Sequence, residues 1–257
     1  NGKLEEQELY RQLDILKEMG FGGAFIHSRV GLETEYMGPE WMELVDKCLK
    51  YGKEIGLELW IYDEDRWPSG TAGGLVTEKK ENRSKRLQLK VLTLEEAVPY
   101  LEEKKEQLAG LYSCTLKGHE YENLQRWNTE DYNKIEISAD QKILAVTIEE
   151  SEFNDNYNGY TYLDTMKASA VEDYLEATHD RYEQELSEEG LSCMKGIFTD
   201  EPHRGAFLCD FSEGNQKSIP YTDRLFELFQ ERYGYDLKKE LPAVFFRGRG
   251  NPFSKVA

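Results

Sequence analysis

The sequence predicts an α/β fold, read as part of a (β/α)8 barrel that carries a β-rich insertion. Three observations lead there. Amphipathic helical stretches alternate with short apolar runs, an order that implies parallel strands joined by right-handed crossovers. Two of those runs end in acids: residues 57–62 lead into Asp63-Glu64-Asp65, and residues 194–198 lead into Thr199-Asp200-Glu201-Pro202-His203. Between them the pattern switches to period-two alternation. Carboxylates at the C-terminal tips of parallel strands face the crevice where such folds place their chemistry.

In chain order, residues 4–19 form an amphipathic helix. Leu9, Leu13 and Leu16 recur at helical spacing, and Gly20 follows Met19 as the stop. Residues 21–26 read as a buried strand whose tip carries His27, Ser28 and Arg29. Residues 39–55 form the next helix. Pro39 suits its first turn, Trp41, Leu44, Val45 and Leu49 supply the apolar stripe, and Gly56 marks the exit. The strand 57–62 follows directly.

After Gly73-Gly74 the segments 87–92, 111–116, 134–137 and 143–148 alternate and are rich in β-branched residues, which argues for antiparallel strands. Residues 152–162 read as a loop. Residues 168–186 return as one helix with Val171, Tyr174, Leu175, Tyr182 and Leu186 on one side. The strand 194–199 comes next, 222–233 is a further helix, and 243–246 is a candidate fourth core strand. The expected domains are residues 1–85 as the first part of the barrel, 86–150 as a β-rich inserted subdomain, and 151–257 as the continuation. Three confident parallel strands fall short of the eight that a closed barrel needs. The chain is therefore either a piece of a larger barrel or an incomplete α/β sheet, and we take the first.

Composition narrows the function. The chain carries a net charge of −18, which argues against nucleic acid, whose phosphates attract Lys and Arg. No stretch approaches the ~20 apolar residues of a membrane span. Cys48, Cys114, Cys193 and Cys209 lack metal-ligand spacing and demand no disulfide framework, which favours a reducing compartment; the expected setting is cytoplasmic, or secreted or periplasmic if a signal peptide has been removed. There is no Walker loop, dinucleotide fingerprint, nucleophile elbow or zincin motif.

Two acid-tipped strands suit glycoside hydrolysis, which needs one carboxyl group to donate a proton and a second carboxylate to act opposite it. Glu201 is the sharpest candidate, with Pro202 stiffening the turn behind it. Asp63 and Glu64 are further catalytic candidates. Asp65 and Asp200 are expected to bind sugar hydroxyls, and the acidic tip at 63–65 can hold a hard cation such as Ca²⁺. No cofactor is required. His27, Arg29 and His203 face the same rim and are read as substrate-binding. Trp67, in the loop Trp67-Pro68-Ser69-Gly70, is a stacking platform for a sugar ring. Tyr36 and Tyr62 line the cleft, and His179 is read as a packing or capping residue. A metal-dependent hydrolase built from His27, Asp63, Asp200 and His203 is a third reading, beside a non-catalytic carbohydrate-binding or assembly module.

Residues 20–32, 59–70 and 196–202 (GFGGAFIHSRVGL, LWIYDEDRWPSG and GIFTDEP) resemble the catalytic region of large bacterial glycosidases related to the α-L-rhamnosidases of glycoside hydrolase family 106. Residues 170–182 and 231–237 are similar too. The resemblance implies a (β/α)8 barrel, a carbohydrate substrate, acid/base catalysis with inversion, and a Ca²⁺ near the sugar. It makes Glu201 a catalytic carboxylate.

Overall fold

The computed structural model describes residues 1–204 and 216–249. In chain order the elements are α1 (Glu6–Glu18), β1 (Gly23–Ile26), α2 (Pro39–Ile55), β2 (Glu58–Tyr62), β3 (Lys85–Leu92), α3 (Leu94–Lys104), β4 (Leu108–Lys117), β5 (Glu120–Trp127), β6 (Lys142–Glu150), α4 (Ala168–Ala177), α5 (His179–Glu185), α6 (Glu188–Cys193), β7 (Met194–Phe198), β8 (Gln216–Tyr221), α7 (Leu225–Tyr233) and β9 (Arg247–Gly248). They fall into two compact units. The first contains residues 1–83 and 152–204, and the second contains 84–151 together with 216–249.

The first unit holds a three-stranded parallel sheet in the order β1-β2-β7. Gly23 pairs with Glu58 and Ile26 with Ile61, while Ile61 pairs in turn with Ile197. One face is packed. Leu59 and Ile61 meet Leu13 of α1, Trp41, Val45 and Leu49 of α2, and Cys193 at the end of α6 in a single core. Helix α2 runs from Pro39 to a C-cap at Gly56 in the left-handed region (φ 69°), the asymmetry expected of a helix bounded by Pro and Gly. The other face carries Phe25, Trp60 and Phe198, with Phe25 and Phe198 respectively 53% and 43% exposed. The Phe25 ring lies 5.7 Å from that of Trp60 and 5.3 Å from that of Phe198, centroid to centroid.

The close approach of β1 to β2 depends on Gly23. A Cβ there would meet the Trp60 ring and lie 2.6 Å from the Glu58 carbonyl oxygen. That carbonyl belongs to the β1–β2 pairing and has no room to yield. Gly23→Ala is expected to cost about 1–3 kcal/mol by overpacking, read as a lower thermal midpoint with an unchanged far-ultraviolet spectrum in the folded baseline.

The second unit is a six-stranded sheet in the order β8-β3-β6-β4-β5-β9. Its inner pairs are antiparallel. Period-two alternation sorts the side chains between two covered faces. Leu111, Ile143 and Ala145 pack under α3, with Ala97 and Leu101. Tyr112, Leu144 and Val146 pack on the other side against Leu237, Leu241, Phe245 and Phe246.

These findings correct the expected fold. The chain is mixed α/β with a three-stranded parallel sheet and a separate, largely antiparallel one, not a (β/α)8 barrel or an arc of one. The segment 216–249, expected within the barrel continuation 151–257, instead pairs β8 with β3 in the second sheet. Residues 241–244 form a 3-10 turn rather than a core strand. Residues 134–137 are not a strand, and β5 takes that place in the sheet. The helix expected over 168–186 breaks at Thr178 (φ −124°, ψ −79°), whose hydroxyl donates to the Tyr174 carbonyl at 2.6 Å. Strands β1 and β7 are only half covered, not buried on both faces. Among the described residues no helix is long and apolar enough to cross a membrane. Cys48, Cys114 and Cys193 are buried free thiols, and Cys209 lies outside the described residues.

Candidate functional site

The two acid-tipped strands are neighbours, as their parallel pairing requires, so their tips converge. The convergence works through Ser69, which is fully buried. Its hydroxyl donates to Asp63 Oδ1 at 2.6 Å and accepts the Asp200 backbone N–H at 2.9 Å. Its own N–H donates to the Asp200 carbonyl at 2.9 Å. Asp63 Oδ2 accepts from Thr199 Oγ1 at 2.6 Å and from His179 Nε2 at 2.9 Å. Asp63 is thus the clasp between β2, β7 and the start of α5. Burial pushes its carboxyl up, but the bonds from His179, Ser69 and Thr199 outweigh burial and hold it below the usual carboxylate range.

Glu64 is completely buried and serves the loop after it. Oε2 accepts from the backbone N–H groups of Gly70, Thr71 and Ala72 at 2.9, 2.7 and 2.8 Å. Oε1 accepts from those of Gly73 and Asp65 at 2.6 and 2.9 Å. Burial pushes the carboxyl up to about 7 against the pull of these donors. Five N–H groups aimed at oxygen lone pairs are built around the ionised form, since a carboxyl proton would point into a donor. Asp65 is 4% exposed; it accepts from Ser28 Oγ at 3.1 Å, Arg66 Nε at 3.1 Å and Asn158 Nδ2 at 3.2 Å.

The expected catalytic roles of Asp63 and Glu64 and the expected sugar contact of Asp65 are therefore corrected. All three carboxylates are spent inside the protein. They fix the loop that carries Trp67. The acidic tip does not fit Ca²⁺ either, because its oxygens face N–H and O–H donors whose positive ends repel a cation. Among the described residues no group of three or more His, Cys, Asp or Glu is arranged to hold a metal ion.

Glu201 differs from all of these. It is exposed, and its Oε2 accepts the Trp67 indole N–H at 3.2 Å. Its backbone sits in the left-handed region at φ 45°, a conformation that costs a non-glycine residue about 1–3 kcal/mol and gathers at functional sites. Trp67 is 37% exposed. Beside them, Asp200 Oδ2 accepts from Tyr62 OH at 2.9 Å. Burial first, and this bond second, push the Tyr62 phenol up, so it stays protonated and donates. The His27 ring packs edge-on against Tyr62, centroids 3.6 Å apart. Burial and the nearby Arg29 push His27 down to about 4, so it is neutral at pH 7. Its Nε2 has no hydrogen-bond partner among the described residues. Arg29 is exposed at the rim. His203 stacks on Tyr162 at 4.1 Å, and burial lowers its pKa. Tyr162 OH in turn donates to the Ser69 carbonyl at 2.5 Å.

The structure thus gathers Glu201, Trp67, Asp200, His27, Arg29 and His203 around the ends of β1, β2 and β7. Sequence reading missed Ser69, Thr199 and His179 as the groups that hold Asp63. A cavity of about 160 Å³ lies between α1, β1 and α2; Leu9, Leu13, Val45 and Cys48 line it together with His27 and Ser28 at the end of β1, and neither Glu201 nor Trp67 reaches it. No protein-family model, curated protein or solved structure matches this chain.

The Asp63 clasp has a pH signature. A carboxylate whose folded pKa is depressed adds stability above its unfolded value and loses it as pH falls through the folded one. The wild-type thermal midpoint should therefore drop more steeply below about pH 4 than that of Asp63→Asn, which has no carboxylate to protonate. Parallel midpoint-versus-pH curves for the two proteins would show that Asp63 does not clasp the strands through its charge.

Proposed function

We propose that this chain carries the acid/base site of a glycoside hydrolase, α-L-rhamnosidase-like by its resemblance, with Glu201 as the proton-transferring carboxyl. The observation that carries the reading is Glu201 itself: an exposed carboxylate, held by an indole N–H, on a backbone strained to present it. A sugar ring stacked beside Trp67 places a glycosidic oxygen within reach of Glu201. Asp200, oriented by Tyr62 and by the Ser69 bridge, is the second carboxyl of the pair. Neutral His27 packs against Tyr62 with its Nε2 buried and supports the wall of the site, and Arg29 and His203 border the same space. A carboxyl separation of about 6.5–9.5 Å around bound sugar goes with inversion, one of about 5–5.5 Å with retention.

One observation favours the second reading, a carbohydrate-binding module without catalysis. Of the acids at the β2 tip, none reaches solvent, which leaves the pair resting on two adjacent residues. A panel of aryl glycosides, α-L-rhamnosides included, separates the two. Release of the aryl group supports the hydrolase, whereas saturable sugar binding without release supports the module. Neither release nor binding overturns both.

A further inference from the structure

The second unit has a groove of its own. It encloses about 570 Å³ at one end of the six-stranded sheet, where β4, β5, β6, β8 and α7 meet, within the usual range for small-molecule sites. A β-bulge shapes it. Leu108 pairs with Thr147 and Gly110 with Val146, so Ala109 is an extra residue in β4, the kind of insertion that re-aims side chains beside binding sites.

Two of its residues are held in place. The half-buried Trp127 donates its indole N–H to Ser113 Oγ at 2.9 Å, which locks the ring where it lines the groove. The Lys238 backbone is pinned on both sides: its carbonyl accepts from Tyr112 OH at 2.6 Å, and its N–H donates to Asp236 Oδ1 at 2.9 Å. The Lys238 ammonium sits over the Phe226 ring, 4.7 Å from the centroid, and makes no ion pair with a described residue. Arg126 reaches Asp236 only at 3.7 Å. Two cations on an aromatic wall, of which only Arg126 has a carboxylate partner among the described residues, run against the average of a chain with 50 acidic and 32 basic residues.

We propose that this groove binds a small ligand with a ring and a carboxylate, of the acidic-monosaccharide class. Arg126 and Lys238 take the carboxylate, Arg126 through its forked donors. The Trp127 ring takes the apolar face of the sugar, and Asn128 and Thr129 supply a carboxamide and a hydroxyl at the lip. The groove lies in one unit and holds none of the Glu201 site residues, so it stands or falls apart from the hydrolase reading.

The test is titration of the whole chain with D-glucuronate and with D-glucose, followed by amide shifts and calorimetry. Glucuronate should give saturable shifts centred on residues 126–129 and bind about tenfold or more tightly than glucose. Arg126→Gln and Lys238→Gln, both outside the packed core, should each weaken it by about tenfold, the worth of one charged hydrogen bond, with unchanged thermal midpoints. Glu201→Gln should bind glucuronate here as the wild type does. Equal affinity for the two sugars, wild-type affinity in both cation variants, or no saturable shift overturns the assignment.

Discussion

Glu201→Gln is expected to lower turnover of a susceptible aryl glycoside by about 10²–10⁴-fold, the usual worth of a positioned proton donor or acceptor, with sugar affinity nearly unchanged. The amide keeps the side chain's length and an oxygen for the Trp67 N–H, which lies 3.2 Å from Glu201 Oε2, so the loop geometry persists. Only proton transfer is removed. The pair of measurements is steady-state turnover and the sugar dissociation constant. Turnover at the wild-type rate would strike Glu201 from the mechanism. Glu201→Gly sharpens the point. Glycine adopts φ near 45° without penalty, so this variant should be as stable as the wild type or more so while being inactive. A carboxylate retained only for folding would behave in the opposite way.

Glu64→Gln should be the most damaging near-isosteric change in the first unit. One oxygen of Glu64 faces three backbone N–H groups and the other faces two. Whichever oxygen becomes an NH₂ group, at least two buried donors lose their acceptor and meet another donor. At about 1–3 kcal/mol for each stranded group, the loss is about 2–6 kcal/mol, a large share of the roughly 5–15 kcal/mol that holds a typical domain together. Denaturant unfolding should show a lower midpoint, and Trp67 fluorescence should report loosening of the loop before the global transition. A cost under about 1 kcal/mol would mean that Glu64 is already protonated at neutral pH.

How much of the structure was legible in the sequence depends on the range of each signal. Helices α1 and α2, with the stop at Gly56, were readable because periodicity and caps act within a few residues. The break at Thr178 was not, since the apolar stripe continues across it and only a hydroxyl bond to Tyr174 marks the change. Strand β5 escaped because Tyr121 is its one fully buried residue. Helix α3 carries a reciprocal capping box between Thr93 and Glu96, a local signal that sequence reading could have used and missed. At the site, the tip acids were visible as residue types, but which of them reach solvent was not. Asp63 is satisfied by groups 6, 116 and 136 residues away in the chain, and no local spacing encodes that. The reading as part of a barrel rests on helix–strand alternation, strand-end acids and a family resemblance, and the first two are features that open parallel sheets share.

The interleaving of the two units sets the order in which they can form. Strand β2 ends at Tyr62, yet its partner β7 begins at Met194, after the whole of 84–151 has been made. Strand β3 likewise waits for β8, which starts at Gln216. Contacts so distant in sequence slow folding, because loop-closure entropy must be met before they reward the chain. During synthesis β1 and β2 emerge long before their neighbour, with an open edge and the aromatic rings of Phe25 and Trp60 uncovered, a state prone to wrong pairing. Asp200 and Glu201 leave the ribosome at the very end of the first unit, so a nascent chain gains these two carboxylates only when that unit can close.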